Sequence, residues 1–342
     1  MKFSLVVPLA PGRNAPILES IKQLDYPKND FHVVVVSGLN PSENRNKGAE
    51  KAKGEIIAFL DDDATLERDY LKKAEEFFQN HKEIDIVGGP QLSPLDEGGF
   101  AKISGHALTS AFGAFGRVHR YSKKKESFDV EESMLTSANL LCRKSVMDKI
   151  KFNTKLFPGE DSKFIEDAKD AGLKIAYSPE MIVYHKRRPT VKAFMKQMFN
   201  YGKVRPFIDS PKIILTRRPY VLIPSLFFIY LVLFFVLIFS NLTITGNAIS
   251  SGYWVFAKIP FFSFVHFIPA TAYVILAFLF SIHDALKNHD FKAVFFLPLI
   301  YFIIHVSYGS GMIAGFIRRM FTSETVNSEI NKRKNVSHER VV

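Results

Sequence analysis

Three consecutive carboxylates, Asp61-Asp62-Asp63, follow the short apolar run Ile56–Leu60 and are the residues of this chain best suited to chemistry. Such a run predicts a buried parallel strand, and open α/β sheets bind ligands at the carboxyl ends of these strands. Adjacent acids repel one another, so we expect a cation to offset them. Asp61 and Asp63 could hold Mg²⁺ or Mn²⁺, with a phosphorylated ligand completing the oxygen shell. A solvated acidic turn before the next helix is the alternative interpretation.

A second acidic pair, Glu160-Asp161, follows Phe157-Pro158-Gly159 and begins a predicted helix that ends at Ala171, with Gly172 as its C-cap. A carboxylate held at the start of a helix can take the proton from an attacking hydroxyl group. A simple N-terminal helix cap is the other interpretation of this pair. The pair on its own leaves both interpretations open.

The elements that must position these acids alternate between strands and helices through residues 1–218, which predicts a soluble α/β half with a mostly parallel sheet and right-handed crossovers. The segment Gly98–Asp129 contains five glycines and the basic run Arg117–Lys125, and we predict a loop there, either a mobile substrate loop or an ordinary surface loop. The predicted strands are Phe3–Pro8, Phe31–Val36, Ile56–Leu60, Ile84–Val87, Met134–Leu141, Leu173–Tyr177 and Ile182–Tyr184, and the predicted helices are Arg13–Leu24, Ser42–Lys53, Arg68–His81, Lys144–Ile150 and Glu160–Ala171.

Long apolar runs dominate residues 219–317 and predict a membrane half. Pro219–Ser240 contains 22 residues without a charge, and about 20 suffice to cross the hydrocarbon of a bilayer. Two further segments run from Phe261 to Ile282 and from Val294 to Ile317. The preceding segment, Thr190–Ile208, has an apolar stripe and lysines away from it, which predicts either a helix lying in the membrane interface or a core helix of the soluble half.

Three full spans conflict with the positive-inside rule. Arg217-Arg218 places the start of the first span inside, so a third crossing would put the basic tail 318–342 outside. Either one segment is re-entrant or the tail breaks the rule. Gly309, Gly311 and Gly315 make the last segment the candidate for irregular or close-packed structure.

Charge and cysteine content exclude several classes of protein. The formal net charge is +11, but no nucleic-acid-binding motif occurs, so we expect the basic segments beside the apolar runs to meet an anionic membrane surface. The single Cys142 excludes an intrachain disulfide and a cysteine zinc cluster.

Phe3–Leu9 predicts a core strand rather than a signal peptide. His106, His119 and His185 lack a paired spacing, so we predict structural or surface roles for them rather than metal binding.

In their order and spacing, five segments resemble the family 2 glycosyltransferases with a GT-A fold, and among them the membrane-attached enzymes that build bacterial exopolysaccharides such as succinoglycan. The resemblance covers residues 3–205. The segments that carry it are the strand that ends at Pro8, Asn44-Arg45-Asn46-Lys47-Gly48, Asp61-Asp62-Asp63, Glu160-Asp161 and Gln197–Arg205.

The resemblance implies a role for each segment. Asp161 would be the catalytic base with Glu160 beside it. Asp63 would bind Mg²⁺ or Mn²⁺, and Asp61 would contact the ribose or the metal. UDP is the default donor nucleotide, although Ser37-Gly38-Leu39-Asn40 stands where many relatives carry Asp-Asp-Gly-Ser. The residues implied for nucleotide-sugar binding are Pro8, Arg45, Asn46, Asp61 and Asp62, and those implied for acceptor or diphosphate binding are Gln197, Tyr201, Lys203 and Arg205.

We therefore predict an inverting, membrane-bound glycosyltransferase that moves a sugar from a nucleotide diphosphate sugar to a hydroxyl group of a lipid-linked glycan. A polyprenyl phosphate acceptor is already ionised and needs no base, so Glu160-Asp161 favours a hydroxyl acceptor. The alternatives are a polyprenyl-phosphate glycosyltransferase, a processive synthase and an inactive nucleotide-sugar-binding scaffold. We expect a multi-pass protein of the cell inner membrane, with its catalytic half in the cytoplasm and no nucleic acid partner. The predicted domains are the GT-A domain 1–189, an interfacial helix and linker 190–218, a transmembrane region 219–317 and a tail 318–342.

Overall fold

The computed structural model divides the chain into two compact units. The first contains Met1–Val191 and the described part of the chain after Ile317, and the second contains Lys192–Ile317. The residues that the structure describes are 1–209, 211–250, 260–321 and 337–341.

Ten strands among the described residues form two sheets in the first unit. They are β1 (Phe3–Leu9), β2 (Phe31–Gly38), β3 (Ile56–Leu60), β4 (Ala64–Leu66), β5 (Ile86–Gly88), β6 (Gln91–Leu92), β7 (Asn139–Arg143), β8 (Ile175–Tyr177), β9 (Val183–His185) and β10 (Ser337–Val341). The large sheet has the order β10-β2-β1-β3-β7-β5-β8. Within it β7 and β10 run against the other five strands. The predicted α/β fold with a mostly parallel sheet is thus confirmed.

The central strands are apolar on both sides because the sheet is covered on both faces. Along β1, Leu5 and Val7 belong to one buried cluster, whereas Val6 between them belongs to the other. Along β3, Ala58 and Phe59 divide in the same way. Fully buried β3 is therefore fixed in register, and so is the acidic segment that follows it.

Helices cover this sheet and make up the second unit. They are α1 (Ile17–Lys22), α2 (Pro41–Glu50), α3 (Tyr70–Asn80), α4 (Gly99–Leu108), α5 (Ala111–Ala114), α6 (Val118–Tyr121), α7 (Val146–Lys149), α8 (Glu160–Asp170), α9 (Val191–Ile208), α10 (Pro211–Arg217), α11 (Ile223–Ser250), α12 (Pro260–Lys287) and α13 (Ala293–Phe321), with 3-10 turns at Phe115–Arg117 and Pro219–Leu222.

Two predicted boundaries were wrong because turns precede the regular elements. The helix predicted from Arg13 begins only at Ile17, since Gly12 has a φ of +76° and the Arg13 N–H donates to the Ala10 carbonyl in a turn. The strand predicted from Met134 begins only at Asn139. The first difference matters for the site, because it leaves Arg13 on a loop beside the acids.

The prediction of a loop across Gly98–Asp129 was also wrong, since α4, α5 and α6 occupy much of this segment. Its glycines serve close packing as well as turns. A Cβ atom at Gly105 would lie 2.7 Å from the Ser93 hydroxyl oxygen. Ala107 and Leu108 of α4 are buried in the same region. Sequence alone suggested flexibility because glycine content was taken as a loop signal.

A small second sheet, β4-β9-β6, brings distant parts of the chain to the end of β3. β4 follows the acidic segment directly and pairs antiparallel with β9, with Ala64 opposite His185. This strand pair was not predicted, since only three residues of β4 are involved. Its register places His185 next to Asp63.

The second unit contains three helical stretches that are long and apolar enough to cross a membrane among the described residues. They are Pro219–Phe239, His266–Lys287 and Ala293–Phe321. The three predicted apolar segments are thus present, each within a helix. The last one, α13, is a single helix without an interruption, so the expectation of an irregular segment was wrong.

Close packing of α13, the other expectation for its glycines, is what the structure contains. A Cβ atom at Gly311 would lie 2.1 Å from the Phe199 carbonyl oxygen, and one at Gly315 would lie 2.2 Å from that of Lys203. In the opposite direction, a Cβ at Gly202 would lie 2.0 Å from the Tyr308 carbonyl oxygen. The backbones of α9 and α13 therefore touch along a glycine seam made by Gly202, Gly311 and Gly315.

The predicted apolar stripe of α9 is only half buried. Phe194 and Met198 are 0% and 3% exposed, whereas Val191 and Met195 are 43% and 42% exposed. The buried line continues along α9 through Gly202. Only one side of the apolar stripe is therefore packed against the protein. The periodicity of the sequence did not indicate which side that would be.

Replacing Gly311 by alanine should destabilise the second unit. The new methyl group has to displace the backbone of α9, and overpacking of this kind costs about 1–3 kcal/mol. The measurement is the thermal denaturation of the detergent-solubilised protein. Gly98→Ala is the control, because a Cβ there meets nothing within 4 Å. An unchanged melting temperature for Gly311→Ala would contradict the close contact of the two helices.

Candidate active site

The acidic segment after β3 is held between an arginine and a histidine. Asp63 Oδ2 accepts a hydrogen bond of 2.9 Å from Arg13 Nη2, and Asp63 Oδ1 lies 2.9 Å from His185 Nε2. Burial raises the pKa of Asp63, but the bonds and charges of His185 and Arg13 outweigh it and leave this pKa well below its usual range. Asp63 is therefore a firmly ionised carboxylate.

Asp62, in contrast, points into the protein. Its side chain is 7% exposed, and Oδ1 lies 3.4 Å from Arg13 Nη1. Oδ2 is buried and has no hydrogen-bond partner among the described residues. Burial raises the pKa of Asp62 to about 6. The three adjacent acids thus have different environments, and Asp61 and Asp63 share the accessible side.

Arg45 connects Asp61 to the second acidic pair. Its guanidinium donates to Asp61 Oδ1 at 2.8 Å and to Glu160 Oε1 at 3.0 Å, and it is 4% exposed. It also lies over the ring of Phe152, 5.6 Å from the ring centroid. Burial raises the pKa of Glu160 above its usual range, against the opposing charge of Arg45. One buried cation therefore joins the two acidic segments found in the sequence.

Asp161 faces a second buried arginine. Arg120 Nη1 donates to Asp161 Oδ2 at 3.0 Å, and the Ser162 N–H donates to Asp161 Oδ1 at 2.8 Å. Asp161 belongs to the first turn of α8, which begins after Gly159 in the left-handed region with a φ of +106°. The carboxylate of Asp161 is thus oriented by two hydrogen bonds.

Asp61, Asp63 and His185 form a donor set that fits a divalent metal ion. One ligand atom from each lies within 4.8 Å of the other two. Two carboxylates and an imidazole suit Mn²⁺, and carboxylates suit Mg²⁺. Burial lowers the pKa of His185, but the bond to Asp63 outweighs it and the pKa is raised. Before a metal ion could bind, the His185 imidazole would have to lose its proton, and the Arg13 guanidinium would have to leave Asp63.

The other residues implied for nucleotide-sugar binding lie near these acids. Pro8 is buried in β1, opposite Val36 of β2. Asn46 uses its amide within the protein, since it donates to the Phe152 carbonyl at 2.9 Å and accepts from the Phe152 N–H at 3.0 Å. This pair of bonds holds Phe152 beneath Arg45, so Asn46 supports the site through its neighbour.

The four residues implied for acceptor or diphosphate binding lie on α9. Gln197 donates to the Tyr201 hydroxyl at 3.1 Å. Arg205 is 3% exposed and pairs with the buried Asp209 at 2.5 Å. Lys203 meets α13 through its backbone carbonyl. Their role in binding stays a prediction.

Three site residues were missed in the sequence: Arg13, Arg120 and His185. His185 was assigned a structural or surface role because no histidine or acid stands at a ligand spacing from it. The pairing of β4 with β9 supplies that neighbour instead. Arg120 lay in the segment predicted to be a loop. Spacing along the chain carried no signal for any of the three, since their partners are distant in sequence.

Comparisons with known proteins agree with this geometry. A family model described as "Glycosyltransferase like family 2" matches residues 3–201. Glycosyltransferase AglE of Haloferax volcanii is 28% identical over 160 residues, which are 46% of this chain and 48% of AglE. The glucosyl-dolichyl phosphate glucuronosyltransferase of the same organism is 40% identical over 48 residues, 14% of this chain and 15% of that protein. The match thus spans about half of AglE and less of the second relative.

A solved structure supports the fold. The mannosyltransferase PcManGT from Pyrobaculum calidifontis, in complex with GDP-Man and Mn²⁺, has a TM-score of 0.50 and 12% sequence identity, and the match covers 93% of this chain and 88% of that chain. At this identity the likeness concerns the fold alone.

Replacing His185 by alanine should weaken Mn²⁺ binding at least about tenfold, because one of three donors is lost. Free Mn²⁺ can be counted by electron paramagnetic resonance as the purified protein is titrated with the ion alone. His81→Ala is the control, since His81 stacks on Phe77 at the end of α3. Unchanged binding in His185→Ala would mean that the histidine only offsets the charge of Asp63.

Replacing Arg13 by glutamine should have the opposite effect. The Arg13 side chain is 48% exposed, and a partly exposed ion pair is worth little, so Mn²⁺ should bind about two- to fivefold more tightly. The same titration measures it. Weaker binding in Arg13→Gln would contradict competition between the guanidinium and the ion.

Proposed function

The chain belongs to glycosyltransferase family 2 and is a glycosyltransferase, and we propose that it moves a sugar from a nucleotide diphosphate sugar to a hydroxyl group of a lipid-linked glycan. We further propose that the transfer takes place at a membrane and inverts the anomeric carbon. The observation that carries this proposal is the pair of carboxylate groups joined by Arg45.

The two groups divide the work of the reaction. Asp61, Asp63 and His185 lie at the carboxyl end of β3 and form the donor side. Glu160 and Asp161 lie at the start of α8 and form the acceptor side. One guanidinium group, that of Arg45, bonds both Asp61 and Glu160. The donor side and the acceptor side are therefore held close together. A reacting sugar between them would meet both.

Asp161 is the base in this proposal. A sugar hydroxyl is a poor nucleophile, and it needs a carboxylate to take its proton while its oxygen bonds to the anomeric carbon. The bond from that carbon to the diphosphate oxygen breaks on the opposite face, and the nucleoside diphosphate leaves. A single displacement of this kind inverts the configuration. Arg120 and the Ser162 N–H hold the Asp161 carboxylate while it receives the proton.

The donor side would hold the nucleotide diphosphate. A bound Mg²⁺ or Mn²⁺ supplies positive charge to the diphosphate oxygens. Asp61, Asp63 and His185 would be its ligands, and Arg13 would be free to move to the phosphates. The complex of PcManGT with GDP-Man and Mn²⁺ supports a nucleotide sugar and this ion. UDP is our default nucleotide.

The acceptor assignment rests on the base and on the apolar helices. A phosphate acceptor would not need Asp161, whereas a hydroxyl acceptor does. Three helices long enough to span a membrane support an enzyme that works where lipid-linked sugars occur. The glucosyl-dolichyl phosphate glucuronosyltransferase is named after a sugar linked to a lipid, and this name also supports a lipid-linked acceptor. We place the protein in the cell inner membrane with the catalytic unit on the cytoplasmic side, in exopolysaccharide or glycoconjugate synthesis.

The test is the transfer of label from radioactive UDP-, GDP- and dTDP-sugars into lipid extracted from the host's membranes. We expect one donor to give labelled lipid in Mn²⁺ and none in EDTA. Asp161→Asn should lower the rate at least about 100-fold, the scale of a lost general base. Asp170→Asn, at the exposed far end of α8, is the matched control and should keep the wild-type rate.

Other outcomes would contradict parts of the proposal. Label that survives Asp161→Asn would indicate a phosphate acceptor, as in a polyprenyl-phosphate glycosyltransferase. Label that enters only water-soluble product would contradict a lipid-linked acceptor. Donor binding without any transfer would contradict the assigned acceptor side.

A further inference from the structure

Arg120 is a buried cation in direct contact with the proposed base. It is 5% exposed and lies in α6. Its Nε donates to the Ser133 carbonyl at 2.8 Å, and its Nη2 donates to the Glu132 carbonyl at 2.9 Å and to the Ser162 hydroxyl at 3.1 Å. Its Nη1 donates to Asp161. One guanidinium therefore ties the segment before β7 to the start of α8.

The short helix that carries Arg120 is itself anchored. The guanidinium carbon of Arg187 lies 4.8 Å from the ring centroid of Tyr121, the next residue in α6. Arg187 in turn donates from Nε to the Ser93 hydroxyl at 3.1 Å. These contacts pack α6 against the segments that carry Ser93 and Arg187. Arg120 therefore approaches Asp161 from a helix that is packed on its other side.

We propose that Arg120 is a positioning residue for the transfer reaction, which holds the Asp161 carboxylate in the orientation that receives the proton of the acceptor hydroxyl. The proposal rests on the proposed role of Asp161 as the base. A carboxylate has about four lone-pair sites. The Ser162 N–H and Arg120 engage one on each oxygen of Asp161, so others remain for the hydroxyl proton.

Arginine suits this position better than lysine. A guanidinium cannot be deprotonated in a protein, so Arg120 cannot pass a proton to Asp161 and disable it as a base. Its planar fork also reaches two backbone carbonyls and a carboxylate at once. A lysine in its place keeps the charge but loses that geometry.

The charge of Arg120 is needed because the other acids repel Asp161. Glu160 precedes it in α8, and Asp61 lies on the far side of Arg45. Arg45 bonds both of those acids, whereas Arg120 contacts Asp161. Removing Arg120 would take away one of the two hydrogen bonds that orient the Asp161 carboxylate.

The test compares Arg120→Gln, Arg120→Lys and Arg143→Gln in the lipid-transfer assay. We expect Arg120→Gln to lower kcat about 10- to 100-fold and to leave the KM for the donor near its wild-type value. An arginine that only supports the fold would, on removal, lower the amount of folded protein but leave the kcat of the folded fraction unchanged.

Arg120→Lys separates charge from geometry. It keeps the positive charge but loses the planar fork, so kcat should still fall while the KM for the donor stays near wild type. Arg143→Gln is the matched control, because Arg143 also donates to two carbonyls, those of Ile84 and Lys82, but lies by the ring of Phe78. It should leave kcat and the KM for the donor unchanged.

Each outcome bears on the proposal. A wild-type kcat in folded Arg120→Gln, like that expected of Arg143→Gln, would overturn it, since that result describes a purely structural arginine. If Arg120→Gln does not fold, a wild-type kcat in Arg120→Lys would overturn it. Full activity of Asp161→Asn would instead remove the proposed base, so the two failures are distinguishable.

Discussion

The buried ion pairs of Arg45 are the constraint on which the site depends. Asp61 and Glu160 come from separate segments, and the buried Glu160 would carry an uncompensated charge without a partner. Arg45 serves both from α2 and rests on Phe152, which Asn46 holds in place. Removing this cation would leave the two acids without their shared partner. The donor side and the acceptor side therefore depend on the same residue.

Much of the site could be predicted from local sequence. Asp61 and Asp63 end a buried strand, and Glu160 and Asp161 begin a helix, because both positions follow from short-range patterns. His185 could not be found in this way, since its partner is set by the register between β4 and β9. Arg13 and Arg120 were hidden for a related reason, namely that their roles come from the carboxylates they meet in space.

The fold shows the same division. Apolar runs and helical periodicity located six of the seven described strands of the large sheet, all but β10, and the three apolar helices. They did not reveal α4, α5 and α6, where glycines at packed positions resemble glycines in loops. Nor could the stripe on α9 predict that Met195 is exposed while Met198 is buried. Which face of a helix is covered depends on its neighbour, and sequence periodicity does not identify the neighbour.

The glycine seam between α9 and α13 determines where the chain can be divided. Arg218 precedes the first apolar run and is the obvious place to cut for a water-soluble catalytic fragment. A fragment ending there would keep α9 but lose α13, so the backbone beside Gly202 would be bared to water. A division after Val191 instead keeps the first and longer stretch of the first compact unit, without β10 on the edge beside β2. Detergent-free crystallisation should therefore begin from a chain that omits α9 together with the long apolar helices.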